Sequence, residues 1–369
     1  MGPVPAPPIP PVSESARARA RAHQDQLTKP PGSLGRLEAI AAQLAAIQGR
    51  VAVEVHAPRL CLFAADHGVT RSRGVSPYPR TVTGQMVANI LAGGAAVNAL
   101  SRAVQVELEL IDAGVDADAP AAFEGAALSY VHAPIARGTR DFLDAPAMTA
   151  SERAAALELG EAAAARAAQA GSTLVALGEL GIGNTTSAAA ITAALTGRPP
   201  REVVGPGTGL DAEGLARKVA VVEAALARHE LARDAPLASD DADAAVRVLE
   251  RVGGLELAAL VGLCLGAARR GLAVVVDGFI TAAAAAVAAT IEPALLGYLF
   301  AAHRSAEPGH RALLERLGLR PLLELDMRLG EGTGALVAIP LIRAAAAAQR
   351  EMATFAEAAV DDRGAVHDG

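Results

Sequence analysis

The sequence predicts an α/β fold, a Rossmann-like parallel sheet with helices on both faces. Three observations predict it. Short continuous apolar runs end repeatedly in small polar loops, as strands buried on both sides do. These runs alternate with helical stretches, the pattern of a covered parallel sheet. Hydrophobic residues make up 52% of the 369 residues, yet only 2% are aromatic and Trp is absent, so burial must come from close packing of alanine-rich helices. A small helical domain built from the two chain ends is expected beside the sheet. The division is then 1–12 as a disordered leader, 13–50 with 335–369 as the small helical domain, and 51–334 as the large α/β domain.

Along the chain, the proline-rich start gives way to an Ala/Arg-rich helix at 13–24, stopped by Lys29-Pro30-Pro31-Gly32 before a second helix at 34–47. The run 60–65 reads as a buried parallel strand ending in Asp66-His67-Gly68, and 104–111 repeats that design before Asp112-Ala113-Gly114. A helix over 83–91 is followed by Gly93-Gly94. Next come a helix at 151–170 closed by Gly171, a strand at 173–177, and the loop 178–186 that opens another helix. Helices at 212–230, 240–252 and 255–269 precede a β-branched strand at 272–276. The next helix ends at Ile291, a last strand is expected at 295–301, and a long helix at 335–359. In such sheets ligands bind beyond the C-terminal strand ends, so the loops at 66–68, 112–114, 178–186, 277–278 and 303–307 should share one rim.

Bulk properties exclude several classes. A net charge of −7 with only a short basic run at Arg17, Arg19 and Arg21 lacks the cationic surface that nucleic acid requires. The uncharged apolar segment 278–291 spans 14 residues, short of the roughly 20 needed to cross a bilayer. The start carries no signal-peptide pattern, and Cys61 and Cys264 both lie in apolar stretches. A cytoplasmic protein with reduced core thiols is expected, binding neither nucleic acid nor membrane.

Three glycine-rich loops carry the chemistry. GELGIGNTT (178–186) sits at a strand-to-helix turn, where free N–H groups and the helix dipole favour an anion such as phosphate; a tight turn with an Asn/Thr cap is the competing reading. GPGTGLD (205–211) again precedes a helix, with Lys218 two turns in, where an ammonium could meet a phosphate oxygen or simply face solvent. RLGEGTGA (328–335) places Glu331 between glycines just before an apolar helix, either as a general base approached closely by substrate or as an acid complementing the dipole. Ser76, in a proline-stiffened loop, and Gln85, on the following helix, are candidates to line a base pocket. His303, Glu307 and His310 lie close in sequence, but their spacing matches no helical zinc pattern and Pro308 interrupts them, so no metal is expected.

Taken in order, KPPGSLGRLE (29–38), ADHGV (65–69), GVSPYPRTVTGQM (74–86), GELGIGNTT, GPGTGLD, DGFITAAA (277–284), HRSAEPGH (303–310) and RLGEGTGA resemble the nicotinate-nucleotide:dimethylbenzimidazole phosphoribosyltransferase family. The resemblance runs from about Lys29 to Ala346. It implies a homodimer that transfers the 5-phosphoribosyl group from nicotinate mononucleotide to a benzimidazole base, giving α-ribazole 5′-phosphate and nicotinate, without cofactor or metal. It places the catalytic base at Glu331 and substrate contacts at Ser76, Gln85, Glu179, Gly181, Gly183, Asn184, Thr185, Gly207, Gly209, Lys218 and Ser305. One departure stands out: Ala302 precedes His303 where the family often has Ser.

The chemistry is consistent with that inventory. Transfer at C1 of a ribose passes through an oxocarbenium-like state and needs negative charge nearby and a base for the entering N–H proton. A pyridinium leaves as a neutral pyridine and needs no general acid. Two other readings compete. A nicotinamide-dinucleotide oxidoreductase would need G-x-G-x-x-G after a strand with an acid about 20 residues on, which none of these loops supplies. A non-catalytic nucleotide-binding module would keep the anion loops but gain nothing from Glu331.

Overall fold

The computed structural model describes residues 7–118 and 128–361. Within the leader, residues 1–6 fall outside them, and the expected disorder gives way over 7–12. Ile9 is buried, its N–H donates to Glu292 Oε2 at 2.8 Å, and the Pro10 carbonyl accepts the Tyr298 hydroxyl at 2.9 Å. Proline's fixed φ lowers the entropy lost when such a strap is laid down.

Helix α1 (Glu14–Gln24) starts where the Ser13 hydroxyl accepts the Ala16 N–H, and α2 (Arg36–Gln48) stops at Gly49, which takes the left-handed conformation. Strand β1 (Arg59–Ala65) follows. Helices α3 (Val82–Leu91) and α4 (Ala96–Val104) are separated by the Gly93-Gly94 turn. The stretch Val82–Val104 is long and apolar enough to cross a membrane by length and composition, but it is two helices of 10 and 9 residues. Each spans about 15 Å, half of a bilayer core.

Strand β2 (Glu107–Gly114) begins later than the expected 104, because α4 runs to Val104 and Gln105 turns the chain in the left-handed region. Strand β3 (Ser129–His132) comes next, then α5 (Ala150–Gln169), opened by a Thr149–Glu152 capping box. Strand β4 (Leu174–Leu180) leads to α6 (Asn184–Thr196) and the single turn α7 (Pro200–Val203). Asp211 and Asp241 cap α8 (Ala212–Arg228) and α9 (Ala242–Val252), and α10 (Leu255–Arg269) matches its expected bounds.

Strand β5 (Ala273–Val276) and α11 (Phe279–Ile291) precede β6 (Leu299–Ala301). The strand expected at 295–301 is mostly a 3-10 turn over Pro293–Tyr298, since Pro293 follows the end of α11 and favours a helical start. Pro308 does not break a helix; it opens α12 (Pro308–Leu317), where its missing N–H costs nothing. Helix α13 (Thr333–Glu351) is shorter than expected. Met352 is extended, and Thr354 caps the separate turn α14 (Phe355–Ala358) after bridging back to Leu27.

Among the described residues the six strands are all parallel, in the order β3-β2-β1-β4-β5-β6. Successive side chains of a strand point to opposite faces, and every residue of β4, β5 and β6 is buried, so both faces are covered there. Helix α13 packs on β4 and β5 and also on α2, while the buried Gln349 on it receives the Gln24 amide at 2.7 Å. Helices α5 and α10 lie so close that a Cβ at Gly160 would sit 1.8 Å from the Ala259 carbonyl oxygen, and one at Gly262 would sit 2.0 Å from that of Leu157. Gly160→Ala is therefore expected to destabilise the protein by roughly 1–3 kcal/mol, read as a lower Tm or denaturation midpoint. An unchanged midpoint would show that the helices can separate freely.

Candidate active site

The strand order reverses between β1 and β4, and a cavity of about 660 Å³ opens beyond the C-terminal ends of β4, β5 and β6, beside the α3 segment that follows β1. Glu179, Asp277, Glu307 and Glu331 bring carboxyls to its lining, beside Gly181, Asn184, Thr185, Gly207, Thr208 and Arg328. The Asn184 amide donates to Glu179, and the Gly207 N–H donates to Glu307 Oε1 at 3.1 Å. Val82, Met86, Leu180, Ile182, Phe279 and Ile280 form an apolar wall, with Tyr78 and Leu329 exposed at the mouth.

Glu179 was expected in a loop, but β4 continues through Leu180 because Phe63 and Ala64 of β1 pair with Glu179 and Leu180. The carboxylate is thus held by a strand. It accepts the Asn184 side-chain amide and lies against Gly330, where a Cβ would come within 2.3 Å of Oε1. Burial, and then the neighbouring charges of Asp277 and Glu256, push its carboxyl well above the ordinary range, against the Asn184 hydrogen bond.

Asp277 ends the β5 segment and caps α13, accepting the Ala335 N–H at 2.8 Å. Burial pushes it up to about 7, although the N–H groups of Ala335, Gly334 and Gly332 favour the charged form. Glu331 stands two residues before α13. Gly330, Glu331 and Gly332 all have positive φ, at 89°, 59° and 75°. For Glu331 this conformation costs about 1–2 kcal/mol, strain of the kind that gathers at functional sites. The side chain is 6% exposed and Oε2 has no protein partner. Burial raises its carboxyl, while the Val97 N–H at the start of α4 opposes.

The other predicted residues divide. Gly181, Asn184, Thr185, Gly207 and Ser305 line the cavity with Glu179 and Glu331. Gly183 lies just behind: with φ 96° it opens α6 without a side-chain cap, and a Cβ there would collide with Thr70. Lys218 is neither on the surface nor in the lining. It is fully buried, donating to Thr185 Oγ1 at 2.8 Å and the Gly205 carbonyl at 3.1 Å. Burial pushes its ammonium down to about 8, with the Glu307 charge opposing. Its influence reaches the cavity through Thr185.

Gly209 and Ser76 stay outside the lining. Ser76 Oγ accepts the Tyr78 N–H and lies 3.5 Å from the hydroxyl of Thr208, which does line it. Gln85 is exposed and lies outside. Val82 and Met86, four apart on α3, face the cavity, and Gln85 is turned about 100° from Met86.

Asp277, Arg328, Thr208, His303 and the apolar wall were not assigned from sequence. Asp277 carried a signal, since it follows an apolar strand and precedes Gly278. His303 lines the cavity with its ring charge disfavoured by burial. His310 is pushed down to about 3 by burial and the neighbouring His303, and its Nδ1 accepts the Ser305 N–H at 2.9 Å. Among the described residues no three His, Cys, Asp or Glu side chains gather as metal ligands. Ala302 is fully buried, with its N–H on the Val276 carbonyl, so no side-chain hydroxyl stands at that strand end.

Fold and cavity define a doubly wound α/β protein with an acidic crevice at its topological switch point. A family model described as phosphoribosyltransferase matches residues 9–360. The nicotinate-nucleotide–dimethylbenzimidazole phosphoribosyltransferase of Chloroflexus aggregans is 49% identical over 355 residues, 96% of each chain. The protein of that name from Pseudomonas aeruginosa is 49% identical over 94% of this chain and 95% of its own. The crystal structure of CobT from Thermus thermophilus superposes with a TM-score of 0.86 at 48% identity, covering 95% of this chain and all of that one. The chain belongs to the nicotinate-nucleotide:dimethylbenzimidazole phosphoribosyltransferase family and is a phosphoribosyltransferase.

Proposed function

We propose that this enzyme moves the 5-phosphoribosyl group of nicotinate mononucleotide onto 5,6-dimethylbenzimidazole, releasing nicotinate and forming α-ribazole 5′-phosphate, with Glu331 as the base. The observation that carries the site assignment is the make-up of the cavity lining. It holds the carboxyls of Glu179, Asp277 and Glu331 together with the uncapped N-terminus of α6, Arg328 and Thr185, which accepts the Lys218 ammonium. A ligand with a positive glycosidic centre and an anionic tail fits that mixed lining.

In the reaction, one benzimidazole nitrogen forms a bond to C1 of the ribose as the bond from C1 to the pyridinium nitrogen breaks. The bonding pair stays on nicotinate, which leaves neutral at nitrogen. The proton on the other benzimidazole nitrogen passes to Glu331. Carboxyls beside C1 stabilise its developing positive charge, and the low-dielectric cavity strengthens that attraction. Val82, Met86, Ile182 and Phe279 supply an apolar wall for a planar bicyclic base. The anion loops, with Gly181, Asn184, Thr185 and Gly207, would take the 5′-phosphate. Action as a cytoplasmic homodimer belongs to the same reading.

Purified protein given both substrates should release nicotinate and a product of α-ribazole 5′-phosphate mass without added divalent metal, measured by chromatography with mass detection. Folded protein that yields neither would sink the assignment.

A further inference from the structure

Three polar side chains without any exposure meet beneath the GIGN loop, outside the cavity lining. His67 Nε2 lies 2.7 Å from Glu256 Oε1, and His67 Nδ1 lies 3.0 Å from Ser187 Oγ. Buried ionisable pairs are costly to desolvate, so an uncharged substitute would be expected here unless the pair had work to do.

The Ser187 hydroxyl also reaches the Gly253 carbonyl at 3.2 Å. Its single hydrogen can go to that carbonyl or to His67 Nδ1. Either way Glu256 meets the ring at Nε2 and Ser187 meets it at Nδ1, so both nitrogens are held.

The location gives this lock its meaning. His67 follows the C-terminal end of β1, and Cβ atoms built on Gly181 and Gly183 would each come to 3.5 Å from its side chain. Ser187 sits one turn into α6, whose first turn has no side-chain cap. Gly253 and Glu256 belong to the junction of α9 and α10. The preceding residue works on the opposite side: Asp66 Oδ2 accepts the Asp116 N–H at 2.8 Å and lies beside Thr83, whose hydroxyl accepts the Ile182 N–H at 3.1 Å. Consecutive side chains at the end of β1 thus tie both flanks of the GIGN loop.

We propose that His67 is a positioning residue: its ring, held at Nε2 by Glu256, anchors Ser187 through Nδ1 and so sets where the first turn of α6 presents its N–H groups to the substrate phosphate. This rests on the reading that the GIGN loop takes the phosphate of nicotinate mononucleotide. Small displacements of a positioning group carry large kinetic consequences.

The test uses the full chain and two variants, with nitrogen-15 histidine spectra as a measurement that needs no variant. Ser187→Ala is expected to raise KM for nicotinate mononucleotide about tenfold. KM for dimethylbenzimidazole and kcat should stay within about twofold. Glu256→Gln should keep nearly native KM values, because its side chain can still hydrogen-bond Nε2. The spectra should show both His67 ring nitrogens hydrogen-bonded in the native protein and in Glu256→Gln. The proposal is overturned if Ser187→Ala leaves KM for nicotinate mononucleotide unchanged, or shifts both KM values and kcat together, or if the His67 ring nitrogens show no such hydrogen bonds. Native protein without turnover would instead count against the reaction, and the spectra would still decide whether the ring is held.

Discussion

Glu331→Gln is expected to lower kcat by roughly a thousandfold while leaving the protein folded and KM for nicotinate mononucleotide nearly native. Glutamine keeps the shape and loses the basicity, so only removal of the benzimidazole proton is affected. The same residue sets a pH signature. Burial raises its carboxyl, so the ionised base is lost at a higher pH than an exposed glutamate would require. The acid limb of kcat/KM in the native enzyme should therefore lie above the ordinary carboxylate range of about 4 to 4.5, and vanish from the residual rate of the variant. Stability follows the opposite sign. A carboxyl whose folded value exceeds its unfolded value binds its proton more tightly when folded, so its contribution falls as pH rises through that window. Near neutral pH the variant should melt no lower than the native protein. Steady-state nicotinate release from about pH 5 to 9, with parallel melting curves, reads both effects. A variant that turns over normally, or a native acid limb at the value of a free carboxylate, would remove Glu331 from its role.

How much of this could be read beforehand depended on the range of the interactions involved. Helix starts were legible because caps are local: Ser13, Thr149, Asp211 and Asp241 each bond to an N–H within their own first turn. Buried strands were legible as apolar runs, but not their ends. Glu179 stays in β4 only because Phe63 of β1 pairs with it, a contact between distant parts of the chain that no local pattern records. The differences in placement within the site have the same origin. Lys218 read as a surface charge or a direct phosphate ligand, whereas packing buries it behind Thr185. Gln85 was placed by motif, although the helical spacing of Val82 and Met86 already turned it away. Asp277 was visible as a strand-end acid, and only the arrival of α13 gave it three N–H groups to bind. The motifs behind the family resemblance supply several loops that line one cavity, because order along the chain survives when pairwise geometry cannot be seen.

Gly330→Ala should be nearly as damaging as loss of the base itself, with activity falling about a hundredfold or more. Two independent constraints meet at this position. Its φ of 89° is one that an L side chain adopts only at a cost of about 1–2 kcal/mol. The added Cβ would also lie 2.3 Å from Glu179 Oε1, inside van der Waals contact, with the carboxylate carbon at 3.3 Å. Glu179 cannot yield easily, because its backbone is fixed in β4 and its other oxygen is held by Asn184. The loop must move instead, carrying Glu331, the next residue, out of register with the entering base. The damage should stay local: Gly330 is partly exposed, and the strands beneath it do not depend on its position. The expected result is a Tm within a few degrees of native together with a collapsed kcat, and an electron-density map showing residue 331 displaced. Gly330→Ala with native kcat would mean that the approach of Glu179 to this loop is not what aims the base.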